Sequence, residues 1–314
     1  MKFSIKQHFV VVFLLLLPFL LYLFFVPVLP RYFGSIHESI LMGKQVLQKF
    51  YPEGLAQSAA SLIQSSIGTS KLTPVPKKLE NPPAIVKAVY MTGWSAGSKN
   101  YLAYLNKLIE TTQINAVVID VKDYSGIVSY KTGATQARAY KAYWPQIPNI
   151  DALVNHFHEK GIYVIGRIVV FEDPVLAKNR PDLAVYDKTK TQDPKQPVLW
   201  EDNHKLFWVD PSSQDVHDYN IAIAKDALLH GFDEINFDYV RFPTDGLTKN
   251  MEFPLWDKKI PRNVVIKNFF KKVRQELPSE TLSVDLFGQT TVDTNDIGIG
   301  QILEDAFEYF DYVS

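Results

Sequence analysis

GFDEINFDYVRFP (residues 231–243) sets Ile235, Phe237 and Tyr239 on one side of an extended chain and Glu234, Asn236 and Asp238 on the other. Alternation on a period of two is the mark of a β-strand. A strand with carboxylates along one face must turn that face toward groups that satisfy them. The helical stretch 212–230 runs into this strand through Gly231, and the same helix-then-strand order repeats on both sides. Upstream, AIVKAVYM (84–91) precedes an amphipathic helix at 99–111 and a second strand, INAVVIDVKD (114–123). A helix at 150–160 then leads through Gly161 into IYVIGRIVVF (162–171). Downstream, a helix at 263–276 precedes TLSVDLFG (281–288), and one near 299–308 leads into FDYVS (310–314). Strands alternating with helices imply right-handed βαβ units and a parallel sheet. No glycine-rich phosphate turn follows the first strand, and DIGIG (296–300) has the wrong spacing for one. An α/β fold of the TIM type, a (β/α)8 barrel, is therefore favoured over a dinucleotide-binding fold.

The helix-covered outside of such a barrel is apolar, so the polar face of each strand points inward. Alternation then sends Asp120, Lys122, Arg167, Asp238 and Asp285 toward one lumen, near the C-terminal strand ends where barrel enzymes place their chemistry. Two carboxyl groups facing each other across a cleft are the minimum for glycosidic bond cleavage: one protonates the leaving oxygen, the other acts as nucleophile or activates water. Asp238 and Asp285, on adjacent strands at similar heights, are the best pair, and either can take either role. Asp120, Lys122, Asp123, Arg167 and Arg241 are placed to orient and tune them. Trp94, Tyr124, Trp200, Trp208 and Tyr239 fall at strand ends or on loops, where ring faces stack on sugars. Other chemistries find less support. The seven histidines show no metal-ligand spacing. Asp120, Asp123, Glu172 and Asp173 lack the contiguous loop of a calcium site. There is no G-x-S-x-G elbow. No metal and no cofactor is expected.

INAVVIDVKDYSG, GIYVIGRIVVFEDPVLA, WVDPSSQDVHDYNIAIAKDAL, GFDEINFDYVRFP and SVDLFG, in that order, resemble a bacterial and archaeal family of glycoside-hydrolase domains distantly similar to alpha-amylase-type (β/α)8 barrels. The resemblance covers residues 84–314. It implies a barrel with the principal catalytic aspartate at Asp238, where amylase-type enzymes carry their fourth-strand nucleophile. On the fifth strand those enzymes carry a glutamate as acid/base, and this chain offers Asp285. The resemblance supplies a reaction class without a substrate.

The rest of the sequence bounds where such chemistry would act. Of 314 residues, 33 are Lys or Arg and 34 Asp or Glu, a net charge of -1 that gives no basic surface for nucleic acid. Zero cysteines exclude a disulfide scaffold and a thiol nucleophile. Residues 9–29 carry no charge and follow Lys2 and Lys6, which fits a single transmembrane helix with the remainder outside the cytoplasm. A cleaved signal peptide is the competing reading, against which FVPVLPRYFG offers no small-x-small site. The expected organisation is a cytoplasmic tip and anchor at 1–30, a helical spacer and Pro-rich tether at 31–83, and the barrel at 84–314. Six strands against the eight of a full barrel predict a barrel truncated after its sixth strand. The function expected is a membrane-anchored glycoside hydrolase acting on a polysaccharide outside the cytoplasm, through lipid contact at residues 9–29. The alternatives are a non-catalytic carbohydrate-binding barrel and a structural envelope barrel.

Overall fold

The computed structural model describes residues 77–314. Six parallel strands form one sheet: β1 (Ala88–Met91), β2 (Ala116–Lys122), β3 (Tyr163–Val169), β5 (Glu234–Asp238), β7 (Thr281–Val284) and β8 (Tyr312–Val313). Their order across the sheet is their order along the chain. A doubly wound sheet reverses direction at a switch point, whereas this one never does, as in the wall of a barrel. The sheet holds six strands and has β1 and β8 at its edges. Two short strands not expected from the sequence, β4 (Tyr186–Asp187) and β6 (Met251–Glu252), form a separate antiparallel ribbon.

The connections are helical: α1 (Gly93–Gly97) and α2 (Lys99–Thr111) after β1, α3 (Thr135–Ala139) and α4 (Ile150–His158) after β2, and α5 (Pro174–Asn179) and α6 (Gln214–Leu229) after β3. Then come α7 (Arg262–Glu276) and α8 (Leu303–Phe307). Ser98, Asn149, Asp173 and Ser213 cap α2, α4, α5 and α6, each side chain accepting a backbone N–H of the first turn. The main core lies between sheet and helices. Val117, Ile119 and Val121 of β2, Val164 and Ile168 of β3, Ile235 and Phe237 of β5, and Leu282 and Val284 of β7 all enter it. On the opposite face, Ala116, Tyr163 and Ile165 form a small second cluster closed by Leu79 and Val118.

Leu79 belongs to the stretch read as tether, yet its N–H donates to Asp233 Oδ1 at 2.6 Å and Lys78 pairs with Glu280. Residues 9–29, read as a membrane anchor, and the helices expected within 31–72 lie outside the described residues. Among the described residues no helix is long and apolar enough to cross a membrane.

Candidate active site

The polar face of the sheet converges on Arg167. Its Nη1 donates to Asp120 Oδ1 at 2.8 Å, and its Nε donates to Asp238 Oδ2 at 3.0 Å with Nη2 on the same oxygen. One guanidinium thus bridges carboxylates from the strands on either side of its own, a geometry that suits its planar fork. Tyr90, on β1, completes the row by donating its hydroxyl to Asp120 Oδ2 at 2.5 Å. Burial pushes Asp120 up from the usual carboxylate range, opposed by the donors Tyr90 and Arg167.

Asp238 ends β5 and is followed by Tyr239 at φ +54°, a left-handed conformation that non-glycine residues adopt at a cost. That turn folds the Tyr239 N–H back onto Asp238 Oδ1 at 2.6 Å. Asp238 therefore accepts on both oxygens while its side chain stays 20% exposed, against 3% for Asp120. Of the two carboxylates on Arg167, Asp238 is the one a substrate can reach.

Asp285 follows β7 one step beyond the Phe237–Val284 register pair, level with Asp238. Its Oδ1 accepts from Asn236 Nδ2 at 2.9 Å. Burial, reinforced by the negative charge of Asp238, raises it to about 6. Behind it, Asn236 also donates to Ser283 Oγ at 3.1 Å, and Ser283 donates to the buried Glu234, whose Oε2 accepts from the Tyr163 hydroxyl at 3.2 Å. The arrangement can hold one carboxylate charged next to a carboxyl that takes a proton readily. Among the described residues no group of three or more His, Cys, Asp or Glu side chains is placed to hold a metal ion.

Residues 88–314 match a protein family described as "Putative glycosyl hydrolase domain". The chain belongs to this family. A crystal structure of a hypothetical protein from Ruminiclostridium thermocellum is 40% identical, with 64% of this chain and 98% of that chain covered at a TM-score of 0.57. Weaker likenesses reach an alpha-galactosidase from Thermus thermophilus at 15% identity, with 67% of this chain covered and a TM-score of 0.42. A maltogenic alpha-amylase from Thermotoga neapolitana is 16% identical, with 73% of this chain covered and a TM-score of 0.43. The match spans 39% of the galactosidase and 48% of the amylase. No curated protein matches the chain.

Of the family member's residues expected from sequence to share the lumen, Asp120, Arg167, Asp238 and Asp285 do so, and Lys122 does not. The β2–β3 register shifts between Asp120, opposite Arg167, and Lys122, opposite Ile168. This extra residue resets the alternation and sends Lys122 to the helix side with Ile168. There its Nζ pairs with Asp173 Oδ2 at 2.6 Å, both side chains wholly buried, and lies over the Tyr219 ring of α6. Gly126, at φ +77°, lets the chain pass Asp173 where any Cβ would collide with the carboxylate. Asp123 Oδ1 accepts the Ser125 N–H at 2.9 Å in the turn after β2, and its charge acts on Asp120 and Tyr90.

Arg241 tunes no carboxylate by an ion pair among the described residues. Its guanidinium lies against the rings of Trp208, Tyr239 and Phe287 and donates to Phe242 O and Thr244 Oγ1, each at 3.2 Å. Trp94 and Tyr124 are open to solvent. Trp200 and Trp208 are buried, their indoles donating to Leu247 O and Asp202 Oδ2, so Trp200 offers no ring face to a sugar. Trp208 and Tyr239 instead line a cavity of about 400 Å³. Tyr90 escaped the sequence reading because a tyrosine on a strand face has no signal separating a hydrogen-bonding role from packing.

Proposed function

We propose that this chain is a membrane-anchored glycoside hydrolase that cleaves a polysaccharide outside the cytoplasm by a two-carboxyl mechanism. Asp238 is the charged carboxylate that meets the anomeric carbon, as nucleophile or as stabiliser of the positive charge that develops there. The observation that carries the reading is the state of Asp238: clamped by Arg167 and by the Tyr239 N–H, yet 20% exposed at the C-terminal end of its strand. Asp285 lies beside it on the same floor, where the two negative charges oppose each other. Membership of a family described as glycosyl hydrolases agrees with this chemistry, and the uncharged run at 9–29 supports the anchor.

The test is turnover of a polysaccharide panel, read as released reducing ends. Asp238→Asn keeps the shape and a hydrogen-bond acceptor for Arg167 while removing the charge. It should lower kcat roughly 10³-fold or more with the unfolding midpoint little changed. Full activity in that variant would sink the assignment. Glycan binding by the wild-type chain without release of reducing ends would establish a carbohydrate-binding barrel instead.

A further inference from the structure

We propose that Glu172 is the group that protonates the departing oxygen of the substrate, acting from a cavity beside Asp238; the inference rests on the glycosidase reading above. Glu172 stands three residues past β3 and is 4% exposed. No hydrogen bond or ion pair of the described residues involves its carboxyl, whose oxygens open onto a cavity instead of being sealed among protein atoms. A carboxyl whose only opening is a cavity is placed to meet whatever group enters that cavity. That cavity, about 400 Å³, is lined also by Asp202, His204, Trp208, Tyr239, Arg241 and Asp245. Tyr239 and Arg241 follow directly on the strand end that carries Asp238, and the Asp238 charge is felt at Glu172.

The other charged groups around Glu172 are engaged elsewhere. Asp202 accepts the N–H groups of His204 and Leu206 at 2.8 and 2.9 Å and the Trp208 indole at 3.0 Å. Asp245 accepts the Asn203 N–H at 3.3 Å. Arg241 is held against aromatic rings, and the neighbouring Asp173 is paired with Lys122. Glu172 is left as a neutral acid: burial first, then the charge of Asp202 with those of Asp245 and Asp238, pushes it to about 8 against the pull of Arg241. It keeps its proton through neutral pH, which a general acid requires. Asp285 is raised less and accepts a hydrogen bond from Asn236, which favours its charged form.

In the step, the Glu172 proton passes to the glycosidic oxygen as its bond to the anomeric carbon breaks. The bonding pair stays on that oxygen, which leaves as an alcohol. The Asp238 carboxylate meets the positive charge at carbon. Water then delivers its hydroxyl to the anomeric carbon and a proton back to Glu172, so one water is consumed and both carboxyl groups are restored.

The experiment compares 2,4-dinitrophenyl glycosides, whose leaving group needs no proton, with 4-methoxyphenyl glycosides, whose leaving group does. Both anomers of glucose, galactose and N-acetylglucosamine are tried on the full 314-residue chain. Glu172→Gln should lose about 10²–10⁴-fold in kcat/KM on the methoxyphenyl substrate and under about tenfold on the dinitrophenyl one. It should also lose the alkaline limb of the wild-type pH profile near 8. The ratio between two substrates in one variant is insensitive to partial misfolding. Equal losses on both substrates, no loss on either, or the same leaving-group dependence in Asp285→Asn would each overturn the proposal. A wild-type chain that turns over none of these glycosides and no polysaccharide overturns the glycosidase reading itself, and this inference with it.

Discussion

Asp285 holds a proton more tightly in the folded protein than in the unfolded chain, because burial and the neighbouring Asp238 both disfavour its charge. Its contribution to stability is full below its ordinary range near 4 and is lost as pH rises through about 6. Asp285→Asn cannot ionise and escapes that loss. It should be more stable than wild type by about 1–2 kcal/mol at pH 7.5, and no more stable at pH 4, in denaturant titrations. Glu172 follows the same sign, with the window reaching about 8, so Glu172→Gln should raise the unfolding midpoint at pH 9 and leave it unchanged at pH 5. Both acids, which the proposed chemistry would use or adjoin, are thus held at a cost to the fold. Sequence alternation placed Asp238 and Asp285 on the polar face because it reports which face a residue occupies. It placed Glu172 no further than a loose acidic group, because nothing local shows that its carboxyl faces a cavity. That property comes from Trp208, Tyr239 and Arg241, which are between 36 and 69 residues away.

At the scale of elements, β2 shows where alternation fails. Residues Val117 to Val121 obey it, and the register shift just beyond Asp120 reverses Lys122. A bulge adds a residue without altering composition, so the sequence carries no periodic trace of it. Lys122 is therefore a fastening between β2, α5 and α6. Asp173 both receives its ammonium and caps α5 through the Leu176 N–H. Lys122→Met leaves a buried, unpaired carboxylate and should cost about 3–5 kcal/mol. Adding Asp173→Asn keeps a cap oxygen, removes that charge and should recover part of the loss, as thermal unfolding of both variants would show. The variants should keep the wild-type kcat wherever they stay folded, since Lys122 does not touch Asp238. The longer helices were legible to within a few residues, because caps and apolar spacing are written locally. The five- and six-residue helices α1, α3 and α5 and the β4–β6 ribbon were not, since each is too short to show a period.

For the whole molecule, the strand order β1-β2-β3-β5-β7-β8 bears out a barrel-type wall over a doubly wound sheet. That much was readable, because alternating elements without a phosphate turn leave few parallel topologies. The boundary at residue 84 was set by proline content, which is blind to tertiary contact. Leu79 packs on Ala116, Tyr163 and Ile165, and its N–H reaches Asp233. A chain beginning at residue 84 should be about 1–3 kcal/mol less stable than one beginning at 77, measured by urea unfolding. The agreement between chain order and sheet order also bears on how the protein is made. A ribosome releases the strands in the sequence in which they sit side by side, so each can dock on the edge left by the one before. The Tyr90–Asp120, Asp120–Arg167 and Arg167–Asp238 bonds close spans of 30, 47 and 71 residues in that same succession. Arg167 emerges with one carboxylate partner already in place and waits for β5 to bring the second. Docking of β5 then completes both the Arg167 clamp and the sheet's centre in one event, and synthesis halted before residue 238 should leave a half-neutralised guanidinium facing the lumen, a species ready to recruit chaperones.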